Sequence, residues 1–239
     1  MAINYVSNQE NSEGGGPSSP WTISINIGTR TNGLLVVCLG GYLTGGGFDA
    51  ISMTYAGVAL AKDVEVNETQ YVSVWHLAAP TNGTNNLVIT FTPTSGGVWF
   101  DAYVLSSWYD GAHQTQATVK DQTNSGTGST DPTLSVTPTE DNELLVGIYF
   151  SGQGTVLTTG AGETILANES FGGQCTGGSY AIQTTAGAQA VNYSGNDAAW
   201  AEAVATYKQA AAAGGRTTKN TDSHPLGMHA GISRRINNP

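Results

Sequence analysis

Two stretches of the chain, a little over a hundred residues apart, carry the same short motifs in the same order, and this repetition limits the fold more than any other feature. Asn32-Gly33-Leu34-Leu35-Val36-Val37 is echoed by Asn142-Glu143-Leu144-Leu145-Val146-Gly147. Tyr55-Ala56-Gly57-Val58-Ala59-Leu60-Ala61 returns as Gly160-Ala161-Gly162-Glu163-Thr164-Ile165-Leu166-Ala167, and Trp99-Phe100-Asp101-Ala102 returns as Trp200-Ala201-Glu202-Ala203. The separation shrinks from 110 residues (Leu34 to Leu144) through 105 (Gly57 to Gly162) to 101 (Trp99 to Trp200). The loss falls in Gly- and Thr-rich connections, where length changes are tolerated. A period this long does not suit a solenoid or propeller unit of roughly 20 to 50 residues. It suits either two layers of one sandwich or two small sandwiches in tandem. A half of about 100 residues with few large apolar side chains would have a thin core, which favours a single body.

The segments between the motifs read as short strands. Trp21 to Ile27 alternates like a half-buried strand. Leu34 to Leu39, Ile51 to Leu60, Val72 to Leu77, Asn86 to Phe91 and Val98 to Trp108 follow, bounded by turn signals such as Thr81-Asn82-Gly83. The second half reads Leu134 to Thr137, Glu143 to Phe150, Glu163 to Ala167, Ser179 to Thr184, Gln189 to Tyr193 and Trp200 to Lys208. In Val98 to Trp108, strict alternation puts Trp99, Asp101, Tyr103 and Leu105 on one face, and Phe100, Ala102, Val104 and Ser106 on the other. Both faces are largely apolar, as in a strand covered on both sides. With 32 Gly and only 11% charged residues, the chain is poor in the Glu, Lys and Arg that build helices.

These observations predict an all-β, jelly-roll-like antiparallel β-sandwich with an internal duplication of its strand pattern and an extended C-terminal arm. Residues 1–20 are expected as an extended lead-in and 21–208 as the sandwich body, in two similar halves of about 21–110 and 132–208. Gly111 to Asp131 is a polar connection, and 209–239 forms the arm.

Charge separates body from arm. Residues 1–208 hold four basic and seventeen acidic side chains, a formal charge of −13, whereas 209–239 hold four basic and one acidic, a charge of +3. The arm follows Ala210 to Ala213 and the break Gly214-Gly215. Its apolar residues Leu226, Met228, Ile232 and Ile236 are too sparse for a core but suit anchoring on another surface. Together with Arg216, Lys219, Arg234 and Arg235 they form the expected subunit-docking set, with another copy or another particle protein as partner. Opposite charge would steer this encounter more than it would add affinity. Nucleic acid is not expected as a partner of so acidic a body.

Catalytic patterns are weak. The sequence has four His, no Gly-x-Ser-x-Gly elbow and no phosphate-cradling Gly-Lys-Ser/Thr loop. Asp101 and Glu202, at matching places in the sequence repeat, are the one pair of carboxylates to weigh for glycoside hydrolysis, and strand residues at a rim are the favoured reading. The expectation is a protein that is not an enzyme. Sugar binding is the competing class: Trp108 and Tyr109, beside Asp110 and His113, would offer a stacking surface with polar neighbours. No cofactor is expected, except that Asp49, Asp63, Asp131, Glu140 and Asp141 near turns supply the oxygen ligands calcium prefers. No Cys or His spacing resembles a zinc signature. Cys38 and Cys175 could pair across a sandwich, but two free thiols are favoured. No apolar run reaches the roughly 18 residues of a membrane span, and Met1-Ala2-Ile3-Asn4-Tyr5 lacks the features of a secretory signal. Synthesis in a cytoplasm is therefore expected.

The pattern Thr22-Ile23-Ser24-Ile25, Asn32 to Val37, Met53 to Leu60, Val74-Trp75-His76-Leu77-Ala78-Ala79-Pro80 and Asn86 to Phe91 resembles β-sandwich domains of bacteriophage structural proteins and large bacterial surface proteins. The resemblance spans most of residues 20 to 208 and carries no catalytic residues. It implies a jelly-roll-like module for display, adhesion or assembly, on a virion or other extracellular particle.

Overall fold

The computed structural model describes residues 2–45, 47–94, 98–155, 158–160, 162–171, 173–196 and 198–211. Every regular element among them is a strand, and every pairing is antiparallel. The first half contains β1 (Asn4–Gly14), β2 (Trp21–Asn26), β3 (Leu34–Thr44), β4 (Phe48–Tyr55), β5 (Val58–Ala59), β6 (Ala61–Asn67), β7 (Gln70–Ala78), β8 (Thr84–Pro93) and β9 (Val98–Asp110). The second contains β10 (Lys120–Gly128), β11 (Thr133–Val136), β12 (Glu143–Ser151), β13 (Thr158–Thr159), β14 (Thr164–Phe171), β15 (Gln174–Gln183), β16 (Gln189–Ser194) and β17 (Trp200–Tyr207).

The sheet orders repeat as the motifs do. In the first half β1-β9-β3-β7-β6 forms one sheet and β2-β8-β4-β5 another; in the second, β10-β17-β12-β15-β14 and β11-β16-β13 take the same places. Each half therefore brings both layers of a sandwich, rather than one layer of a shared sandwich. The thin-core problem is solved by a third core. Leu34, Val36, Cys38, Tyr103 and Leu105 pack against Leu144, Val146, Ile148, Ala203 and Tyr207, so the two five-stranded sheets lie face to face. Their other faces cover the outer sheets: Leu35, Val37, Leu39 and Val104 meet Ile25, Met53 and Ile89, while Leu145 and Val204 meet Leu134 and Val191. The result is four layers and three apolar interiors. It explains why β3 and β12 are continuous apolar runs, since neither face meets water.

The halves meet like the subunits of a two-fold dimer. β6 lies against β10, β7 against β17 and β3 against β12, while β1 approaches β14, which is the equivalent of β6. Gly178 permits close approach across this seam: a Cβ there would collide with Leu105 Cδ2.

Three further expectations change. The lead-in is largely a strand: β1 pairs with β9 along Asn4–Gly14, its Asn8 Nδ2 donates to Leu166 O at 3.1 Å, and the Tyr5 ring stacks on Tyr180 at 4.8 Å. Edge strands that are half exposed lack the apolar alternation by which strands are read. For the same reason β10 appears within the expected connection. Finally, a bulge between Tyr42 and Leu43 breaks the alternation of β9, because Phe100 has no partner on β3. Trp99 then joins Ala102, Val104 and Trp108 in the first interior, while Tyr103, Leu105 and Tyr109 face the seam.

Candidate functional site

One buried polar cluster lies at the seam, and paired charges lie at the end of the body where β9 and β17 finish. His76 and Asp63, on neighbouring strands β7 and β6, are 2% and 1% exposed. The imidazole Nδ1 lies 2.8 and 2.9 Å from the two carboxylate oxygens of Asp63, and Nε2 donates to Gln116 O at 3.0 Å. Tyr207 Oη, from the other half, donates to Asp63 Oδ2 at 2.7 Å. Gln116 completes the lock, donating Nε2 to His76 O and accepting from Ala78 N through Oε1. With both ring nitrogens facing oxygen acceptors, this arrangement ties β6, β7, the inter-half connection and β17 together. It holds no exposed nucleophile or base.

At the end of the body the repeat carries one ion pair with its charges reversed. Arg30 Nη1 lies 3.6 Å from Asp110 Oδ2 in the first half, and Lys208 Nζ lies 2.8 Å from Glu140 Oε1 in the second. The register makes them equivalent, because Leu34 faces Tyr109 just as Leu144 faces Tyr207. Asn32 and Asn142, two residues before those leucines, both adopt positive φ, 50° and 61°. Left-handed Asn is the local signal for this turn. Lys208 also reaches Asp121 at 3.3 Å. Burial pushes the Glu143 carboxyl up to about 7. At Asp121 desolvation is the largest single influence and acts upward, but the hydrogen bonds from Thr139, Glu143 and Lys208 together outweigh it and hold the carboxyl below the usual range. Beside them an open groove of about 510 Å³ is lined by His113, Thr118, Glu140, Lys208, Gln209, Ala210 and Ala211. A carboxyl pair with its affinities pushed apart can hold one proton, but Glu143 is buried rather than presented to the groove.

The second sandwich also encloses an acid. Glu202 is fully buried, neither carboxylate oxygen has a hydrogen-bond partner, and desolvation followed by the Glu163 charge pushes it up to about 9. Nearby, Ser179 Oγ donates to Glu163 Oε2 at 2.5 Å and sits 2.9 Å from Tyr193 Oη.

The residues expected to act together are mostly kept apart. Glu202 faces Tyr149 on β12 and Asp101 faces Tyr42 on β3, so the register makes Glu202 equivalent to Val104 and the two acids do not form a pair. Trp108 is 6% exposed within the first interior, and Tyr109 is fully buried at the seam. The strand therefore continues through this pair, which offers no stacking surface; Asp110 is taken by Arg30 and by Thr31 N, and only His113 reaches a groove. The five acids weighed for calcium are dispersed: Asp63 binds His76, Asp131 accepts from Gly195 N and Asn196 N, Asp141 accepts from Ala186 N, Glu140 meets Lys208, and Asp49 is exposed. Among the described residues no three metal-binding side chains converge. Cys38 and Cys175 are free and buried. The docking set Arg216, Lys219, Leu226, Met228, Ile232, Arg234, Arg235 and Ile236 lies outside the described residues. Sequence reasoning missed Gln116, whose role depends on a long-range contact that no local pattern announces.

Comparison with protein-family models, curated proteins and solved structures finds no match to this chain.

Proposed function

We propose that the chain is a non-enzymatic structural building block of a virion or other extracellular particle, a rigid acidic body that self-associates through its basic C-terminal segment. The carrying observation is the use made of its chemistry. His76, Asp63, Tyr207 and Gln116 lock the halves together, and Trp108 and Tyr109 fill interiors. The strand order of each half, β1-β9-β3-β7 over β2-β8-β4-β5 and its repeat, supports a jelly-roll reading of both.

The edges favour assembly by the arm over strand addition. Each of the four edge strands of the two five-stranded sheets, β1, β6, β10 and β14, carries a register shift. The outer sheets add side-chain caps: Gln9 Nε2 donates to Ser24 O at 2.9 Å, and its counterpart Asn124 Nδ2 donates to Ser135 O at 2.8 Å. Bulged and capped edges resist pairing with another chain. A body at −13 then accepts a +3 segment from a neighbouring copy or another particle protein. Sedimentation and electron microscopy of the full chain and of a chain ending at residue 211 test this. Assemblies that dissolve with salt and are lost on truncation support it. Assemblies unchanged by truncation reject the arm's role, and dispersed monomers of the full chain at every concentration reject self-association.

A further inference from the structure

The outer sheet of the first half carries an uncharged groove on its outward face. An open groove of about 500 Å³, within the range of small-molecule sites, is lined by Thr54, Ala56, Gly57, Thr84, Asn85, Asn86 and Val88. None of these residues is charged, in a chain of net charge −10. Strand register arranges them as a grid. Thr22, Val88 and Thr54 lie in one row across β2, β8 and β4, and Ser24 pairs with Asn86 in the next. Among the described residues the side chains of Thr54, Thr84 and Asn86 make no hydrogen bond, so their hydroxyl and amide groups are available to a ligand. Asn85 is different: its Nδ2 donates to Thr81 O and Asn82 O at 3.3 and 3.1 Å, holding the loop beneath.

The groove wall is built under strain. Ala56 has φ of 50° and Gly57 of 79°, and Ala56 N donates to Asn86 O at 3.1 Å, which fixes the turn against β8. A left-handed conformation is disfavoured for alanine and persists only where its surroundings determine it. Space above Gly57 is open, since a Cβ there would meet nothing within 4 Å.

We infer that this groove binds a neutral saccharide chain, with Asn86, Thr54 and Thr84 hydrogen-bonding sugar hydroxyls and Val88 and Ala56 contacting the apolar face of a ring. Neutral donors and acceptors beside small apolar patches suit a hydroxyl-rich, uncharged ligand. A charged polymer would find no counter-charge in the lining. The site is independent of the assembly reading and of the buried Trp108.

The test is calorimetric titration of the full chain with neutral cello-, xylo-, malto- and galacto-oligosaccharides, and with sialylated and sulfated oligosaccharides for comparison. The variants are Asn86→Ala, Thr54→Val and, on the outer sheet of the other half, Ser135→Ala, with circular dichroism to verify folding. Binding of a neutral oligosaccharide that is insensitive to salt, falls at least tenfold in Asn86→Ala or Thr54→Val, and is retained in Ser135→Ala is the expected result. No binding at millimolar neutral sugar, binding confined to the charged oligosaccharides, or affinity unchanged in both groove variants would overturn the inference.

Discussion

Replacing Glu202 by Gln should stabilise the protein at neutral pH, although it alters a fully buried residue. Both carboxylate oxygens lack partners inside the second sandwich, and desolvation with the Glu163 charge raises the group from an ordinary 4.5 to about 9. The folded chain therefore keeps this proton where the unfolded chain has released it. Stability linked to Glu202 is whole below pH 4.5 and falls as pH rises towards 9, because the folded state binds more protons through that window. At pH 7 the loss is about 3 kcal/mol, from 1.4 kcal/mol for each pH increment above 4.5. Glutamine keeps the shape and removes the titration. Chemical unfolding of wild type and Glu202→Gln at pH 4.5, 7 and 9 should give nearly equal stabilities at the lowest pH. The variant should lead by up to about 3 kcal/mol at pH 7, or roughly 6–12 °C in Tm for a chain of this size. Parallel pH curves, or a variant less stable than wild type at pH 7, would refute the reasoning, because Glu202 would then be ionised and partnered in the folded state.

Asp63→Asn leaves the His76 imidazole without its buried carboxylate and should cost about 3–5 kcal/mol in thermal or denaturant unfolding; a loss under 1 kcal/mol would show that the lock contributes little. Gly178→Ala drives a methyl into Leu105 at the seam and should cost about 1–3 kcal/mol, measured as a shift in denaturant midpoint. Trp108→Ala empties part of the first interior and should cost about 3–5 kcal/mol in the same assay, whereas a freely exposed aromatic residue would cost almost nothing.

How far the sequence reveals this fold depends on where each strand lies. The motif at Leu34 and its echo at Leu144 mark β3 and β12, the central strands of the two five-stranded sheets, and their apolar runs reflect burial on both faces. The outer strand β2 is equally plain, because Ile23 and Ile25 point inward while Thr22 and Ser24 point out. β1 and β10 are not legible in this way. Their side chains are largely polar, and their partners on β9 and β17 lie 72 to 106 residues further along. The Trp99 and Trp200 echo is misleading for a related reason. It matches in sequence but lies three residues out of the register that aligns Tyr109 with Tyr207, so Asp101 and Glu202 look equivalent when their strand partners are not.

The reversed ion pairs show what the repeat preserves. Arg30 with Asp110 and Glu140 with Lys208 occupy the same places with opposite signs, so neither sign nor side-chain type is needed at either position. What both copies keep is an attraction between the loop entering the central strand and the end of its neighbour, beside a left-handed Asn. Selection for geometry rather than for a particular chemical group is what a scaffold requires. A reactive site has the opposite demand, since inverting the charges around it would invert its chemistry. By that criterion the seam and its flanking loops fit the proposed scaffold role, and the proposed saccharide groove walled by Ala56 and Gly57 lies away from them, on the outer sheet of the first half.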